Sequence, residues 1–301
     1  MKGGWYQILF LHELENAVTV VNAFDKAMIA VKRSESIELY DAVCPHRGAH
    51  LGYGGELCGS EIICPFHGCK IGLDEKSSEG YLLNRYPLLK IDSLLFTKNT
   101  DNSKDDSLTE YITDLRESHV IIPGFTIKIS APAIMVIENA FDQMHFRTVH
   151  KILNEPQFEI ISSGNENLYH ITSHFDLPIS QWQTGEQGEG KKASSVSIPY
   201  EAIAFSPFTV ISNLGGSRPY HIITSSKQIN VQETEIRLSI AIKNELFNDS
   251  DINLYKYLIE QSGKGLEKDA LIWSHMSPDA TSRFQSHEKA VIGFQKFCKT
   301  F

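Results

Sequence analysis

Two short segments that each combine a cysteine, a proline and a histidine constrain this chain more than any other feature. They are Cys44-Pro45-His46 and Cys64-Pro65-Phe66-His67, and seventeen residues (47–63) separate His46 from Cys64. A high density of glycines in and around them is typical of tight loops that bend around a buried object: Gly48, Gly52, Gly54, Gly55, Gly59 and Gly68. Two such loops, each with one thiolate and one imidazole, predict a metal centre held between them.

The mixed pairing of ligand types favours an iron–sulfur cluster over zinc. In a Rieske [2Fe–2S] cluster two cysteines bind one iron and two histidines bind the other. Structural zinc sites usually pair like with like, as C-x₂₋₄-C and H-x₃₋₅-H. We therefore predict that the cluster ligands are Cys44, His46, Cys64 and His67. A Cys₂His₂ zinc site is the alternative.

A second candidate metal site lies in residues 138–150. Asn139, Asp142 and His145 are three residues apart and would share one face of a helix. His145 and His150 are five apart, so the helix must end between them or widen, for example through a π-type turn. Two histidines and a carboxylate form the facial triad of non-haem Fe(II) oxygenases, which leaves positions open for O₂. Two unrelated helix histidines are the alternative.

Both sites resemble those of one family. Cys44-Pro-His-Arg-Gly-Ala-His50 and Cys64-Pro-Phe-His-Gly68 are similar to the Rieske motif of bacterial ring-hydroxylating oxygenases and their relatives. Residues 139–150 resemble the family's N-x-x-D-x-x-H-x-x-x-x-H motif. This resemblance implies that His145 and His150 bind the mononuclear iron. It also implies that Asp142 bridges a cluster histidine of one subunit to an iron ligand of its neighbour, with Asn139 nearby.

Three residues near the first motif fall outside this assignment. The family often has tryptophan after the last glycine of the motif, where this chain has Cys69. We expect Cys69 and Cys58 to be small buried residues, and we expect His50 to be a packed or surface histidine.

The third, carboxylate ligand of the iron must come from far along the chain. In the family it sits on a C-terminal helix, and the stretch from Asp269 to Trp273 resembles the D-x-x-[IV]-W context of ketosteroid-hydroxylase-like members. We therefore predict Asp269. An exposed helix aspartate is the alternative reading, and the rival ligands are Glu267, Asp251 and Asp279.

The order of patterns along the chain predicts an α+β protein of two domains, residues 1–105 and 106–301. Residues 5–43 have the composition of short strands, residues 97–110 are polar and predict an exposed loop, and residues 158–243 predict a large antiparallel sheet. Helices are predicted at 134–150, 251–273 and 286–301. The resemblance implies an all-β Rieske domain followed by a catalytic domain whose sheet wraps around a C-terminal helix, the helix-grip (START/Bet v1-like) fold.

The resemblance also implies an activity. The chain would be the oxygenase component of a Rieske system, with O₂ as co-substrate and electrons from NAD(P)H delivered by a flavin reductase, with or without a ferredoxin. The working unit would be a homotrimer and the substrate a largely apolar small molecule. Hydroxylation is the favoured reaction, and demethylation, desaturation and oxidative cyclisation stay open. An electron-transfer Rieske protein and a zinc-stabilised binding module are the competing functions.

Composition and charge limit the kinds of partner and the cellular location that the chain can have. The formal net charge of −9 argues against a nucleic-acid partner. No stretch reaches the roughly 18 apolar residues of a membrane span, and the N-terminus lacks the pattern of a signal peptide. We therefore expect a cytoplasmic protein without a transmembrane segment. Five cysteines in such a chain favour metal binding over a disulfide framework.

Overall fold

A computed structural model describes residues 4–34, 36–98, 107–161, 167–178, 195–277, 283–285 and 288–301. The chain divides into two compact units, residues 2–103 and residues 104–301. Within the described parts, no helix has the length and apolar character needed to cross a membrane.

The first unit is built from three small antiparallel sheets, as its β-branched runs predict. Its ten strands are β1 Tyr6–Phe10, β2 Val18–Ala23, β3 Lys26–Lys32, β4 Ile37–Asp41, β5 Glu56–Cys58, β6 Glu61–Ile63, β7 Lys70–Gly72, β8 Arg85–Tyr86, β9 Leu88–Ile91 and β10 Leu94–Thr97. The strand orders are β2-β3-β4-β8, β1-β10-β9 and β5-β6-β7. The cysteine-containing loops connect β4 to β5 and β6 to β7, and a shared core that includes Ile29, Tyr40, Leu51, Ile62 and Ile71 supports both.

The second unit is a seven-stranded antiparallel sheet with helices, which confirms the predicted α+β architecture. Its strands are β11 His119–Ile129, β12 Glu159–Ile160, β13 Tyr169–Pro178, β14 Ser195–Ser206, β15 Thr209–Leu214, β16 Tyr220–Gln228 and β17 Thr234–Lys243. They lie in the order β11-β17-β16-β15-β14-β13-β12. The helices are α1 Ser107–Ser118, α2 Ala133–Glu138, α3 Gln143–Thr148, α4 Ile252–Trp273 and α5 Lys289–Cys298.

The long helix α4 packs on one face of this sheet. Tyr255 and Leu258 of α4 are buried against Leu238, Ile240 and Ile242 of β17. Because side chains alternate between the two faces of a strand, these even-numbered positions define the face that holds the helix. The sheet therefore carries the C-terminal helix on one face, as the resemblance implies.

Two parts of the second unit differ from the sequence prediction. Residues 107–110, assigned to the polar loop, begin α1, because Leu108, Ile112 and Leu115 form a buried stripe at helical spacing. Strand β11, which pairs with β17 along its whole length, was not predicted either. The other residues of the polar loop from 99 onward lie outside the described residues. The content of Gly, Glu and Lys also predicts a flexible stretch from Thr184 to Ser195; its residues 184–194 lie outside the described residues, and Ser195 begins β14.

The single helix predicted over residues 134–150 is also wrong. The structure has α2, a 3₁₀ turn at Asn139–Phe141 and the separate helix α3. The break falls at Asp142, whose φ of −93° and ψ of 99° are extended rather than helical. This break positions the side chains of the candidate metal site.

Candidate functional site

The two cysteine loops of the first unit have the same backbone design. In each, the amide of the glycine four residues after the cysteine donates to the cysteine carbonyl at 2.9 Å, from Gly48 to Cys44 and from Gly68 to Cys64. Both glycines have positive φ, 79° and 72°, which a side chain would strain. The glycines in the motif are therefore needed for the tight return of each loop.

The loops bring the four predicted cluster ligands together. Cys44 and Cys64 are both 2% exposed and belong to the same buried cluster. The rings of His46 and His67 have centroids 5.0 Å apart and lie on the exposed side of the loops. Burial raises the pKa of the Cys44 thiol. A group bound here would have two buried sulfur ligands and two exposed imidazoles.

The neighbouring residues differ in part from expectation. His50 accepts a hydrogen bond from the Gly52 amide at 3.1 Å and is a packed histidine, as expected. Cys58 is exposed rather than buried. Cys69 is half-buried, and its Sγ lies 3.4 Å from Nδ1 of His46. Burial, followed by the carboxylate of Glu79, raises the pKa of the Cys69 thiol.

In the second unit, His145, His150 and Asp269 converge at one point. One ligand atom from each lies within 4.8 Å of the others. Nε2 of His150 is 3.3 Å from Oδ2 of Asp269, and Nε2 of His145 is 3.8 Å from Oδ1. Three ligands on one face of a metal ion lie about 3 Å apart, so this arrangement is close to a facial triad. His150 and Asp269 are 119 positions apart in the sequence, and the fold brings them together where the segment that follows α3 meets α4.

Asp142 organises the histidine end of the site. Its carboxylate caps α3 by accepting from the amides of Met144 and His145 at 3.1 and 3.3 Å. Its backbone carbonyl accepts from Nδ1 of His145 at 2.9 Å. A carbonyl can only accept, so Nδ1 carries the proton and Nε2 is left as a lone pair that points to Asp269. Burial, together with the neighbouring His150 ring, lowers the pKa of His145.

The meeting of His145 and His150 follows from the end of α3, not from a π-type turn. The helix ends at Thr148, and the amide of Val149 still bonds to the His145 carbonyl at 2.7 Å. Lys151 then adopts a left-handed φ of 60° and reverses the chain. His150 is therefore outside the helix, and its ring lies edge-on to that of His145 with centroids 4.7 Å apart.

Asn139 bridges two of the three candidate ligands, His145 and Asp269. Its Nδ2 lies 2.9 Å from both Oδ2 of Asp269 and Nε2 of His145. An amide nitrogen is a donor, so it can satisfy the carboxylate and the imidazole lone pair. Asn139 therefore stands next to the position that a metal ion would take.

Asp269 is buried, with 5% of its surface exposed, in contrast to the exposed helix aspartate that was the alternative reading. One turn earlier on α4, Gly265 lies under His150, and a Cβ there would be 3.4 Å from Cε1 of the imidazole. Of the rival ligands, Glu267 is exposed, Asp251 precedes the first residue of α4, and Asp279 lies outside the described residues.

A cavity of about 930 Å³ opens beside the three residues. Its walls are mostly apolar and aromatic, including Val136, Phe146, Phe175, Leu214, Ile222, Leu238 and Trp273. Two groups of polar side chains interrupt this lining. The hydroxyl of Tyr200 donates to the Ala140 carbonyl at 3.0 Å and lies 3.5 Å from Oγ of Ser212. Tyr220 and Ser262 line the same cavity, and Oγ of Ser262 donates to the Leu258 carbonyl at 2.9 Å. Burial raises the pKa of both tyrosines, that of Tyr220 to about 12.

The lining residues on the sheet were not predicted from the sequence. They are alternate positions of β13 to β17, where an inward apolar side chain cannot be distinguished from an ordinary core residue. One signal of the site was available in the sequence: Gly265 and Asp269 are four residues apart, so they lie on the same face of a helix.

Two family models match the chain. Residues 4–79 match the Rieske [2Fe-2S] domain. Residues 100–291, more than half of the chain, match the 3-ketosteroid 9alpha-hydroxylase C-terminal domain. The second match covers all residues of the candidate metal site in the second unit.

Curated relatives match over shorter stretches. Cholesterol 7-desaturase nvd of Drosophila melanogaster is 27% identical over 164 residues, which are 49% of this chain and 38% of the relative. The protein of the same name from Xenopus laevis is 40% identical over 67 residues, 22% of this chain and 15% of the relative. The aligned parts thus span well under half of these relatives' own length.

Solved structures share the whole fold at low sequence identity. Dicamba monooxygenase bound to 3,6-dichlorosalicylic acid has a TM-score of 0.76 at 13% identity, covering 99% of this chain and 96% of that one. NdmB of Pseudomonas putida CBB5 has a TM-score of 0.70 at 14% identity, covering 98% and 89%. The oxygenase–ferredoxin complex of carbazole 1,9a-dioxygenase has a TM-score of 0.69 at 12% identity, covering 100% and 89%.

Proposed function

Since the chain belongs to the Rieske oxygenases, with the catalytic domain of the 3-ketosteroid 9alpha-hydroxylase type, we propose that it is an oxygenase component that oxidises a rigid, largely apolar molecule of sterol size. The observation that carries the proposal is the convergence of His145, His150 and Asp269 at the wall of a 930 Å³ cavity. Small-molecule sites have volumes of about 300 to 1,000 Å³, so this cavity is at the upper end.

The donor set fits a mononuclear Fe(II). Two imidazoles and one carboxylate are the ligands of non-haem Fe(II) oxygenases, and the iron would supply O₂ activation at its open positions. His145 offers a neutral Nε2 because its Nδ1 proton is held by the Asp142 carbonyl. Asp269 offers a buried carboxylate. Asn139, which now lies between them, would become a hydrogen-bonding neighbour of the bound metal.

The first unit would supply electrons one at a time. Cys44, His46, Cys64 and His67 would hold the [2Fe–2S] cluster, with both imidazoles on the exposed side. A flavin reductase that oxidises NAD(P)H, with or without a ferredoxin, would reduce it. The solved oxygenase–ferredoxin complex among the structural neighbours supports such a partner.

We further propose a homotrimer in which the cluster of one subunit serves the iron of the next. Only Oδ1 of Asp142 receives the two α3 amides. The remaining oxygen could bond to a cluster histidine of a neighbouring subunit, and a head-to-tail contact of this kind closes into a ring. A cytoplasmic location, where NAD(P)H is available, stays a prediction.

The cavity suggests how a substrate would be oriented. Ser262 precedes Asp269 by seven residues on α4, which is about 10 Å along the helix axis. The Tyr220–Ser262 pair could therefore bind a polar oxygen at one end of an apolar molecule while a C–H bond lies near the metal site. The aromatic walls at Phe146 and Phe175 would exclude water from the reacting carbon.

Hydroxylation is the favoured reaction: O₂, two electrons and two protons convert a C–H bond to C–OH and release one water. Desaturation is the second candidate because the curated relatives are named cholesterol 7-desaturases. It uses the same O₂, electrons and protons, but two substrate hydrogens leave and two waters form. Demethylation and oxidative cyclisation use the same inputs and stay open.

The test combines metal analysis with product analysis. The anaerobically purified protein should contain about three irons and two sulfides per chain, whereas an electron-transfer Rieske protein would contain two irons. A panel of sterols and 3-ketosteroids would then be incubated with NADH, a flavin reductase, a ferredoxin and ¹⁸O₂. Gain of one labelled oxygen indicates hydroxylation and loss of two hydrogens indicates desaturation. Zinc without sulfide would exclude both and favour a binding module.

A further inference from the structure

The two cysteine loops close with the same backbone hydrogen bonds, and this shared closure identifies the place of Cys69. The amide of Cys44 donates to the carbonyl of Ala49 at 2.8 Å, and the amide of Cys64 donates to the carbonyl of Cys69 at 2.9 Å. Each pair closes its loop. Cys69 therefore occupies in the second loop the position that Ala49 occupies in the first.

Closure of the second loop places Cys69 directly across from Cys64. Ile63 of β6 pairs with Lys70 of β7, and Cys64 and Cys69 are the next facing residues. Facing residues of antiparallel strands have Cβ atoms about 4.5 to 5.5 Å apart on the same side of the hairpin. The thiol of Cys69 thus lies on the side of the loop from which Cys64 presents its own sulfur.

The same thiol also contacts the other loop. Its Sγ lies 3.4 Å from Nδ1 of His46, while its half-buried side chain packs against the core that includes Cys44 and Cys64. A third cysteine sulfur is therefore located between a cysteine ligand from one loop and a histidine ligand from the other.

We propose that Cys69 is a positioning residue that raises the reduction potential of the cluster by donating its S–H to a sulfur of the bound group. The proposal rests on the ligand assignment made under the proposed function. Hydrogen bonds to the sulfurs of an iron–sulfur cluster are one of the factors that set its potential, because they stabilise the more negative, reduced form. Ala49 has no donor in its side chain, so only the second loop has this contact.

Glu79 is the competing acceptor for the thiol proton. Its carboxylate is adjacent to Cys69, and its Oε1 also accepts from the amide of Lys70 at 3.3 Å. A thiol has a single proton, so the S–H points to Glu79, to Nδ1 of His46 or to the cluster. The test must therefore detect the proton at the cluster in addition to measuring the potential.

The experiment compares Cys69→Ala and Cys69→Ser with the wild-type holoprotein and with Cys58→Ala, which removes the exposed thiol at the end of β5. Iron and sulfide contents are measured first. The midpoint potential is then determined by spectroscopic redox titration. Pulsed EPR of the reduced cluster, in H₂O and after exchange into D₂O, reports exchangeable protons close to the cluster.

We expect Cys69→Ala to keep two irons and two sulfides at the cluster, to shift the midpoint to a lower potential and to lose one exchangeable proton coupling. A tenfold weaker one-electron reduction would appear as a shift of about 59 mV. Cys69→Ser should retain the proton coupling, and its midpoint potential should stay closer to that of the wild type than the potential of Cys69→Ala, because a hydroxyl is also a donor. Cys58→Ala should match the wild type.

Three results would overturn the proposal. An unchanged potential in Cys69→Ala shows that the thiol does not influence the cluster. Equal shifts in the alanine and serine variants indicate an effect of packing instead of a hydrogen bond. Loss of the cluster in both variants makes Cys69 a ligand or a structural residue. A wild-type protein without a [2Fe–2S] cluster would instead refute the proposed function.

Discussion

The backbone carbonyl of Asp142 accepts the Nδ1 proton of His145 at 2.9 Å, while the carboxylate of the same aspartate caps the helix on which that histidine sits. The orientation of the imidazole therefore depends on the main chain at Asp142 and not on its side-chain charge. A substitution of the Asp142 side chain therefore tests the role of the carboxylate without removing the main-chain contact that orients His145.

Asp142→Asn should keep both metals and the fold but slow electron transfer. Asparagine caps a helix as well as aspartate does, whereas Asp142→Ala should cost about 0.5 to 2 kcal/mol of stability. The reduced protein would be mixed with substrate and O₂, and oxidation of the cluster followed by absorbance. Oxidation at the wild-type rate would refute the bridging role, and an active monomer at low concentration would refute the ring.

His145→Ala, His150→Ala and Asp269→Ala should each reduce the iron content from about three to about two per chain and abolish turnover. The [2Fe–2S] absorbance should persist in all three, because the cluster ligands belong to the other unit. Glu267→Ala is the matched control, since this exposed acidic residue is also on α4. Full iron occupancy in Asp269→Ala, with loss in Glu267→Ala, would transfer the ligand role to Glu267.

Cys44→Ser and His67→Ala should abolish the iron–sulfur absorbance. These variants should lose the cluster and keep the mononuclear iron in the second unit, whereas the variants at His145, His150 and Asp269 should lose the mononuclear iron and keep the cluster. Absorbance spectra together with iron and sulfide analysis measure both sites. A visible spectrum that is unchanged in either variant would contradict the ligand assignment.

Gly265 should tolerate alanine but not leucine. A Cβ at this position would lie 3.4 Å from the His150 ring, an ordinary contact, so Gly265→Ala should stabilise the protein by up to about 1 kcal/mol through helix propensity. The larger Gly265→Leu side chain should displace His150 and remove the mononuclear iron. Glu260→Leu introduces the same side chain at an exposed position of α4 and should keep the iron. Retention of iron in Gly265→Leu would contradict the predicted contact.

Acid should destabilise the second unit through His221. Burial, then His119 and Lys243, lowers the pKa of His221 from 6.5 to about 4. Between these values the unfolded chain binds a proton that the folded chain does not, so stability present above pH 6.5 is lost as the pH falls. The loss should be up to about 2 kcal/mol at pH 5. Urea unfolding at several pH values, followed by tryptophan fluorescence and with cluster absorbance as a separate report on the first unit, should show a weaker pH dependence in His221→Gln.

The sequence was most informative where ligand chemistry restricts residue choice. Cys44 and Cys64 with their histidines, and the spacing of His145 and His150, predicted the two places where these side chains converge in the structure. Asp269 required the resemblance, because one acidic residue on a helix looks like any other until α4 is packed.

The errors have a physical origin. The single helix predicted over 134–150 ignored that Asp142 is a strong N-cap, which ends one helical segment and begins another. The start of helix α1 was assigned to a loop because the residues that precede it are polar. The cavity could not be predicted, because Ser212 and Tyr220 come to line it only through strand register.

Helix α4 supplies Asp269 and also forms one wall of the cavity. Any shift of this helix that enlarged the cavity would move the candidate ligand with it. A change of substrate range, in nature or in directed evolution, is therefore easier to reach through cavity residues on the sheet than through those on α4. Substitutions at Ser212, Leu214, Ile222 and Thr224 on the sheet can reshape the cavity while the helix stays fixed, so a library for altered selectivity should concentrate on these strand positions.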